Sequence, residues 1–169
     1  SELLRDPTPI IVHFSGHGEG EDGLVFERFG AERCFRSGCF CSLAEAQAKI
    51  GRPQEALATL AEALALVEET NERYWEAELH RCKGELLLMK QGQKVRETEE
   101  CFRKALEIAR RQQAKSLELR AAMSLSRLWQ QQGKQEVAHQ LLAEIYGWFT
   151  EGFDTADLME AKILLEELA

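Results

Sequence analysis

The sequence predicts an all-α chain. It is built of stacked antiparallel helical hairpins, closed at its C-terminal end by one further helix and preceded by a short non-helical, β-like segment. Three observations predict this. Three stretches repeat one arrangement of small and large residues. Glycines (Gly51, Gly92 and Gly133) fall between the two halves of each stretch, where a residue at positive φ ends a helix at little cost. The final stretch, "FDTADLMEAKILLEELA", has an apolar stripe on one side and charges on the other, as an end cap needs.

The first 29 residues stand apart. "IIVHFSGHGEGEDGLVFE", Ile10 to Glu27, reads as a buried strand (Ile10–Phe14), a glycine-rich acidic turn and a second short strand (Leu24–Phe26). From about Gly30 the pattern becomes helical. The repeats are "SGCFCSLAEAQAKIGRPQEALATLAEALALVEET" (37–70), "AELHRCKGELLLMKQGQKVRETEECFRKALEIARRQ" (77–112) and "LRAAMSLSRLWQQQGKQEVAHQLLAEIYGWFT" (119–150). Their length is close to the 34 residues of the tetratricopeptide unit. Two antiparallel helices approach closely only where a small residue faces its partner. Ala44, Gly84 and Ser126 hold that place on the first helices, and Ala56, Thr98 and Ala138 open the second helices. Leu60, Phe102 and Leu142 fill the large slot, followed by Ala63, Ala105 and Ile145.

Pro53 suits the first turn of a helix, and Asn71 follows "LVEET" where a left-handed cap is needed. Thr155 is read as an N-cap and Asp157 as a first-turn acid favoured by the dipole. Leu158, Ile163, Leu164 and Leu168 form the stripe of the cap helix, 155–168. The expected helices are 32–50, 53–69, 72–91, 94–112, 115–132, 134–149 and 155–168, arranged as a right-handed tetratricopeptide-type solenoid over 30–169.

The balance of 44% hydrophobic and 30% charged residues is that of a soluble globular chain. The formal net charge of -8 is shared between the first 29 residues and the rest, and neither part has the basic excess that neutralises phosphates. Nucleic acid is therefore not expected as a partner. No apolar run reaches the roughly 18–20 residues of a membrane span, and Ile10–Phe14 is too short for a signal peptide. The five cysteines show no framework spacing, so reduced thiols and a cytoplasmic location are expected. The opening Ser1 fits a fragment or a processed chain.

Two resemblances follow from longer runs. "EALALVEETNERYWEAELHRCKGELLL", "CFRKALEIARRQQAKSLELRAAMSLSRLWQQQG" and "YGWFTEGFDTADL" resemble the C-terminal tetratricopeptide region of large bacterial ATPase/nucleotide-cyclase and MalT-like regulators. That resemblance covers about 30–169 and implies a non-catalytic sensing or scaffolding arm. "IVHFSGHGEGEDGLVFE" is similar to the His-bearing strand and turn of CHAT domains, caspase-like peptidase relatives often fused to such repeats. It implies a general-base role for His17. The nucleophile of that family is a Cys after a later strand, in an Asn-Ala-Cys context, and this sequence has neither. Residues 1–29 are thus read as a truncated CHAT-like piece without activity.

Other chemistry finds little footing. Cys34, Cys39 and Cys41 are the candidate thiols for His17, but Cys41 lies one turn before Ala44 on the first helix and reads as a small buried or groove-facing residue. His13, His17, Cys34, Cys39 and Cys41 are soft ligands, yet C-x4-C-x-C matches no zinc module and the two histidines fall on a strand and turn. No metal and no cofactor is expected. "GHGEGEDG" lacks the Lys-Ser/Thr of a phosphate loop and fits no calcium loop. His80 and His139 are expected at the surface or its boundary. Trp129, Tyr146, Trp148 and Phe149 are expected as core beneath the cap helix.

The first helices of such repeats line the concave face. The groove candidates are Glu45, Lys49, Glu78, Arg81, Glu85, Met89, Arg120, Met123, Arg127 and Gln130, a mixture suited to an extended peptide or a partner helix. Repeats that clamp the C-terminal carboxylate of heat-shock chaperones place Asn and Lys where this chain has Glu45, Glu85 and Arg127, so that specialised use is not expected. The expected function is a non-catalytic protein–protein interaction scaffold or regulatory module of a bacterial signalling protein. The alternatives are a CHAT-family cysteine peptidase fragment lacking its nucleophile half, and the sensory arm of a cyclase or ATPase regulator.

Overall fold

A computed structural model gives the structure of residues 31–89 and 95–169, with side chains described from residue 40 onward. His17, Gly92 and the strands expected at Ile10–Phe14 and Leu24–Phe26 lie outside the described residues. The described residues form seven α-helices and no strand: α1 (Ala31–Lys49), α2 (Pro53–Thr70), α3 (Glu76–Met89), α4 (Val95–Arg111), α5 (Lys115–Gln131), α6 (Gln135–Tyr146) and α7 (Ala156–Leu168). None is long and apolar enough to cross a membrane.

The small and large positions of the three repeats are the core. Ala44, Ala56, Leu60 and Ala63 are fully buried in the first hairpin. Thr98, Phe102 and Ala105 are buried in the second, and Ser126, Ala138, Leu142 and Ile145 in the third. At Gly84 the approach is closest. A Cβ there would fall against Phe102 Cε1 and lie 2.7 Å from Cδ1. Ser126 uses its small side chain differently, donating its hydroxyl to the Ala138 carbonyl at 3.1 Å and so binding α5 to α6. Equivalent positions recur roughly 40 residues apart, longer than the 34 of the tetratricopeptide unit.

Each helix packs against the next in sequence. In addition α1 packs on α3, α3 on α5 and α5 on α7, whereas no such contact joins the even-numbered helices. The odd-numbered helices therefore share one continuous side of the stack. Gly51 and Gly133 close the first and third hairpins at φ of 80° and 74°, and Asn71 ends α2 in the left-handed region, as expected. Gln113 takes the same conformation after α4, where the sequence carries no glycine or asparagine signal.

Several expectations are corrected. α3 begins at Glu76 rather than 72, because the left-handed Asn71 is followed by a turn in which the Glu76 N–H donates to the Arg73 carbonyl. α6 ends at Tyr146, since Trp148 and Phe149 bond back three residues in a tighter turn. Thr155 holds the N-cap position of α7, but its hydroxyl donates to the Gly152 carbonyl at 2.7 Å and caps no helical N–H. Ile163 is 57% exposed; the buried stripe is Leu158, Ala161, Leu164 and Leu168, and Ile163 lies about half a turn away from it. Trp148 is exposed, held by Phe149 edge-on and by the Lys115 ammonium 5.4 Å from its ring centre, while Trp129 is buried and Tyr146 and Phe149 pack against the core. His80 is buried, not at the surface.

Candidate functional site

The side shared by the odd-numbered helices carries the charged groove candidates, and it ties most of them to one another. Arg81, in the middle of α3, is the hub. Its guanidinium donates to both Glu78 oxygens at 2.8 and 3.0 Å, reaches Glu85 Oε1 at 3.4 Å, and lies 3.8 Å from Glu45 Oε1 on α1. The i, i+3 and i, i+4 spacing puts Glu78, Arg81 and Glu85 on one face of α3. Glu85 also accepts the Ser124 hydroxyl of α5 at 2.6 Å. Arg120 on α5 lies 3.6 Å from Glu78 and donates to Asp157 on α7 at 2.7 Å. Arg127 pairs with Glu160 on α7. A ladder of opposite charges thus crosses α1, α3, α5 and α7.

Burial divides this ladder. The Arg81 and Glu78 side chains are 16% and 7% exposed, so their pair is a partly desolvated structural bond. Burial by itself would lower the Arg81 pKa, but the Glu78 hydrogen bonds outweigh it and the guanidinium is held firmly cationic. Arg120 behaves alike: burial works against its charge, and Asp157 with Glu78 restores it above the ordinary value. By contrast Glu45 is 52% exposed, Arg127 38% and Glu160 56%, so the outer rungs face solvent.

The remaining candidates scatter. Lys49 is exposed in the last turn of α1, Met89 is exposed at the end of α3, and Gln130 is half-buried near the end of α5. Met123 lies in the core cluster beside Leu119 and Leu125, which corrects its placement in the groove. Asp157, Glu160 and Ser124 belong to the ladder and were missed. The two acids look like ordinary first-turn and solvent-side residues of α7, and only the placement of α7 across α5 reveals their partners.

A second set of ion pairs sits where hairpins join. Glu76 is buried and accepts from Arg73 at 3.1 and 3.2 Å. Glu118, equally buried, is held by Arg110 at 2.9 Å and Lys115 at 2.7 Å. Each is an acid in the first turn of its helix, which the dipole favours, with a cation three residues earlier. Of these pairs, Arg110–Glu118 ties α4 to α5 and so one hairpin to the next.

Near the ladder the Cys82 thiol lies 3.7 Å from Arg81 Nη2 and 3.9 Å from Glu45 Oε1. Its hydrogen bond with the Cys41 thiol, together with burial, pushes its pKa up. Cys101 is likewise pushed up by burial. No thiol of this kind is a ready nucleophile. Among the described residues no three His, Cys, Asp or Glu side chains are grouped to hold a metal ion. No family model matches the chain, and no curated protein matches it.

Proposed function

We propose that the chain is a non-catalytic, tetratricopeptide-type protein-interaction module, whose odd-numbered helices line a groove for an extended peptide or a partner helix. The observation that carries this reading is the charged ladder across α1, α3, α5 and α7, solvent-facing at its outer rungs. The hairpins repeat one packing register, so each presents its first helix to the same side. A surface of that kind offers spaced charges of both signs along a linear track, which suits a chain laid across several repeats. The role its sequence resemblance implies, a sensing or scaffolding arm of a bacterial regulator, is the role we assign.

The test is selection from a random-peptide library followed by affinity measurement. Glu45→Lys and Arg127→Glu, on exposed rungs, should weaken selected peptides by about tenfold or more, equivalent to ~1.4 kcal/mol. Glu62→Lys on α2 and Glu107→Lys on α4 should leave binding unchanged. The opposite pattern would place the binding surface on the even-numbered helices and refute the assignment. Arg81 is unsuitable as a probe, because its burial makes any loss of binding a loss of fold.

A further inference from the structure

We propose that Cys41 and Cys82 form a redox-responsive pair, in which oxidation joins the two thiols into an intramolecular disulfide between α1 and α3. Both are free cysteines, 7% and 3% exposed, within one core cluster. Cys41 lies one turn before Glu45 on α1, and Cys82 Sγ is 3.9 Å from Glu45 Oε1, so α1 turns both residues toward the same point of α3. The Cys41 thiol is also the leading cause of the raised Cys82 pKa, as two sulfurs side by side in one cluster require. The position of Cys82, two residues before the small contact residue, is Ser42 in the first repeat and Ser124 in the third, so the thiol there belongs to the second repeat.

A peroxide would supply the chemistry. One thiolate sulfur attacks a peroxide oxygen, the O–O bond breaks, and the products are a sulfenic acid and hydroxide. The second thiol then attacks that sulfur, the S–O bond breaks, and water leaves as the S–S bond forms. Two thiols are oxidised and one peroxide is reduced to two waters. Because burial and its thiol neighbour raise the pKa of Cys82 and keep it protonated, the reaction is slow in the closed state and proceeds as α1 lifts from its contacts. Those contacts, among the described residues, are with α2 and α3 only. The product would staple adjacent hairpins and fix Glu45 relative to Arg81 on the charged side of the stack.

The test uses the full chain. It is treated with dilute hydrogen peroxide, alkylated, and mapped by mass spectrometry without reduction. We expect a monomer lighter by two hydrogen atoms, with the Cys41 and Cys82 peptides linked, neither thiol available to the alkylating agent, and full reversal by dithiothreitol. Cys101→Ser should keep the link, and Cys82→Ala should abolish it. The inference is overturned if Cys41 and Cys82 both stay alkylatable while other cysteines oxidise, or if either pairs mainly with a third cysteine or with another chain.

Discussion

Replacing Gly84 by alanine tests the close approach of α3 and α4, and the sign of its effect is the informative part. In an ordinary helix interior the change gains about 1 kcal/mol of helix propensity. Here the new Cβ would meet Phe102 at Cε1, lie 2.7 Å from Cδ1 and 2.9 Å from Cζ. Phe102 has no exposed surface, so its ring has no room to turn aside. Overpacking of this kind costs about 1–3 kcal/mol, and three ring atoms inside contact distance argue for the upper half. The net is a loss of about 1–2 kcal/mol, which for a domain of this size lowers the melting temperature by roughly 2–8 °C. Thermal and urea melts of Gly84→Ala, Phe102→Leu and the double variant measure it. Phe102→Leu alone opens a cavity at a cost of about 1–3 kcal/mol, and in the double variant the added methyl should occupy part of that space. The double loss should fall short of the sum by ~1 kcal/mol or more. A Gly84→Ala protein that melts at or above the parent temperature, or strictly additive losses, would refute the close contact.

Acid should weaken the fold through His80, whose burial, together with Lys104 and Lys83 nearby, lowers its pKa from 6.5 to about 4. The unfolded chain takes up that proton below about pH 6.5 and the folded chain does not until about 4. Stability is therefore full above 6.5 and falls across that window, by up to about 3 kcal/mol. Urea midpoints measured against pH should show this slope, and His80→Gln should flatten it. Arg81→Ala should cost about 2–4 kcal/mol in the same melts, because among the described residues Glu78 then keeps only Arg120, at 3.6 Å, whereas Arg127→Ala should change stability by less than ~1 kcal/mol.

The packing register was legible because it is written in side-chain volume. Ala44, Gly84 and Ser126 against Leu60, Phe102 and Leu142 are a size code, and size survives translation from sequence to core. Hydrophobic pattern was a poorer guide at α3. That helix touches α1, α2, α4 and α5, so it is covered on several sides and buries Glu76, Glu78 and His80 along with its leucines. One-sided amphipathicity, the signal a sequence offers, does not describe such a helix. The ladder was half legible for a related reason. Glu78, Arg81 and Glu85 share a face by their spacing alone, but Asp157 and Glu160 become partners of Arg120 and Arg127 only once α7 is laid across α5. Ile163 was misread because a leucine-rich stripe admits more than one geometry, whereas Thr155 stands at the N-cap as read and only turns its hydroxyl to the Gly152 carbonyl.

The neighbour-limited contacts of the helices also set how the chain gains and loses its structure. Every described helix touches only helices one or two places away in sequence, so native contacts span short loops and the entropy of closing them is small. Folding can begin at any adjoining pair and spread outward, without waiting for the two ends of the chain to meet. Opening runs the other way. α7 gives up only α5 and α6 when it detaches, whereas α3 is held by four neighbours. Backbone amides of α3 and its partners in the middle of the stack accordingly exchange with solvent last, and among the described helices α7 is released before them.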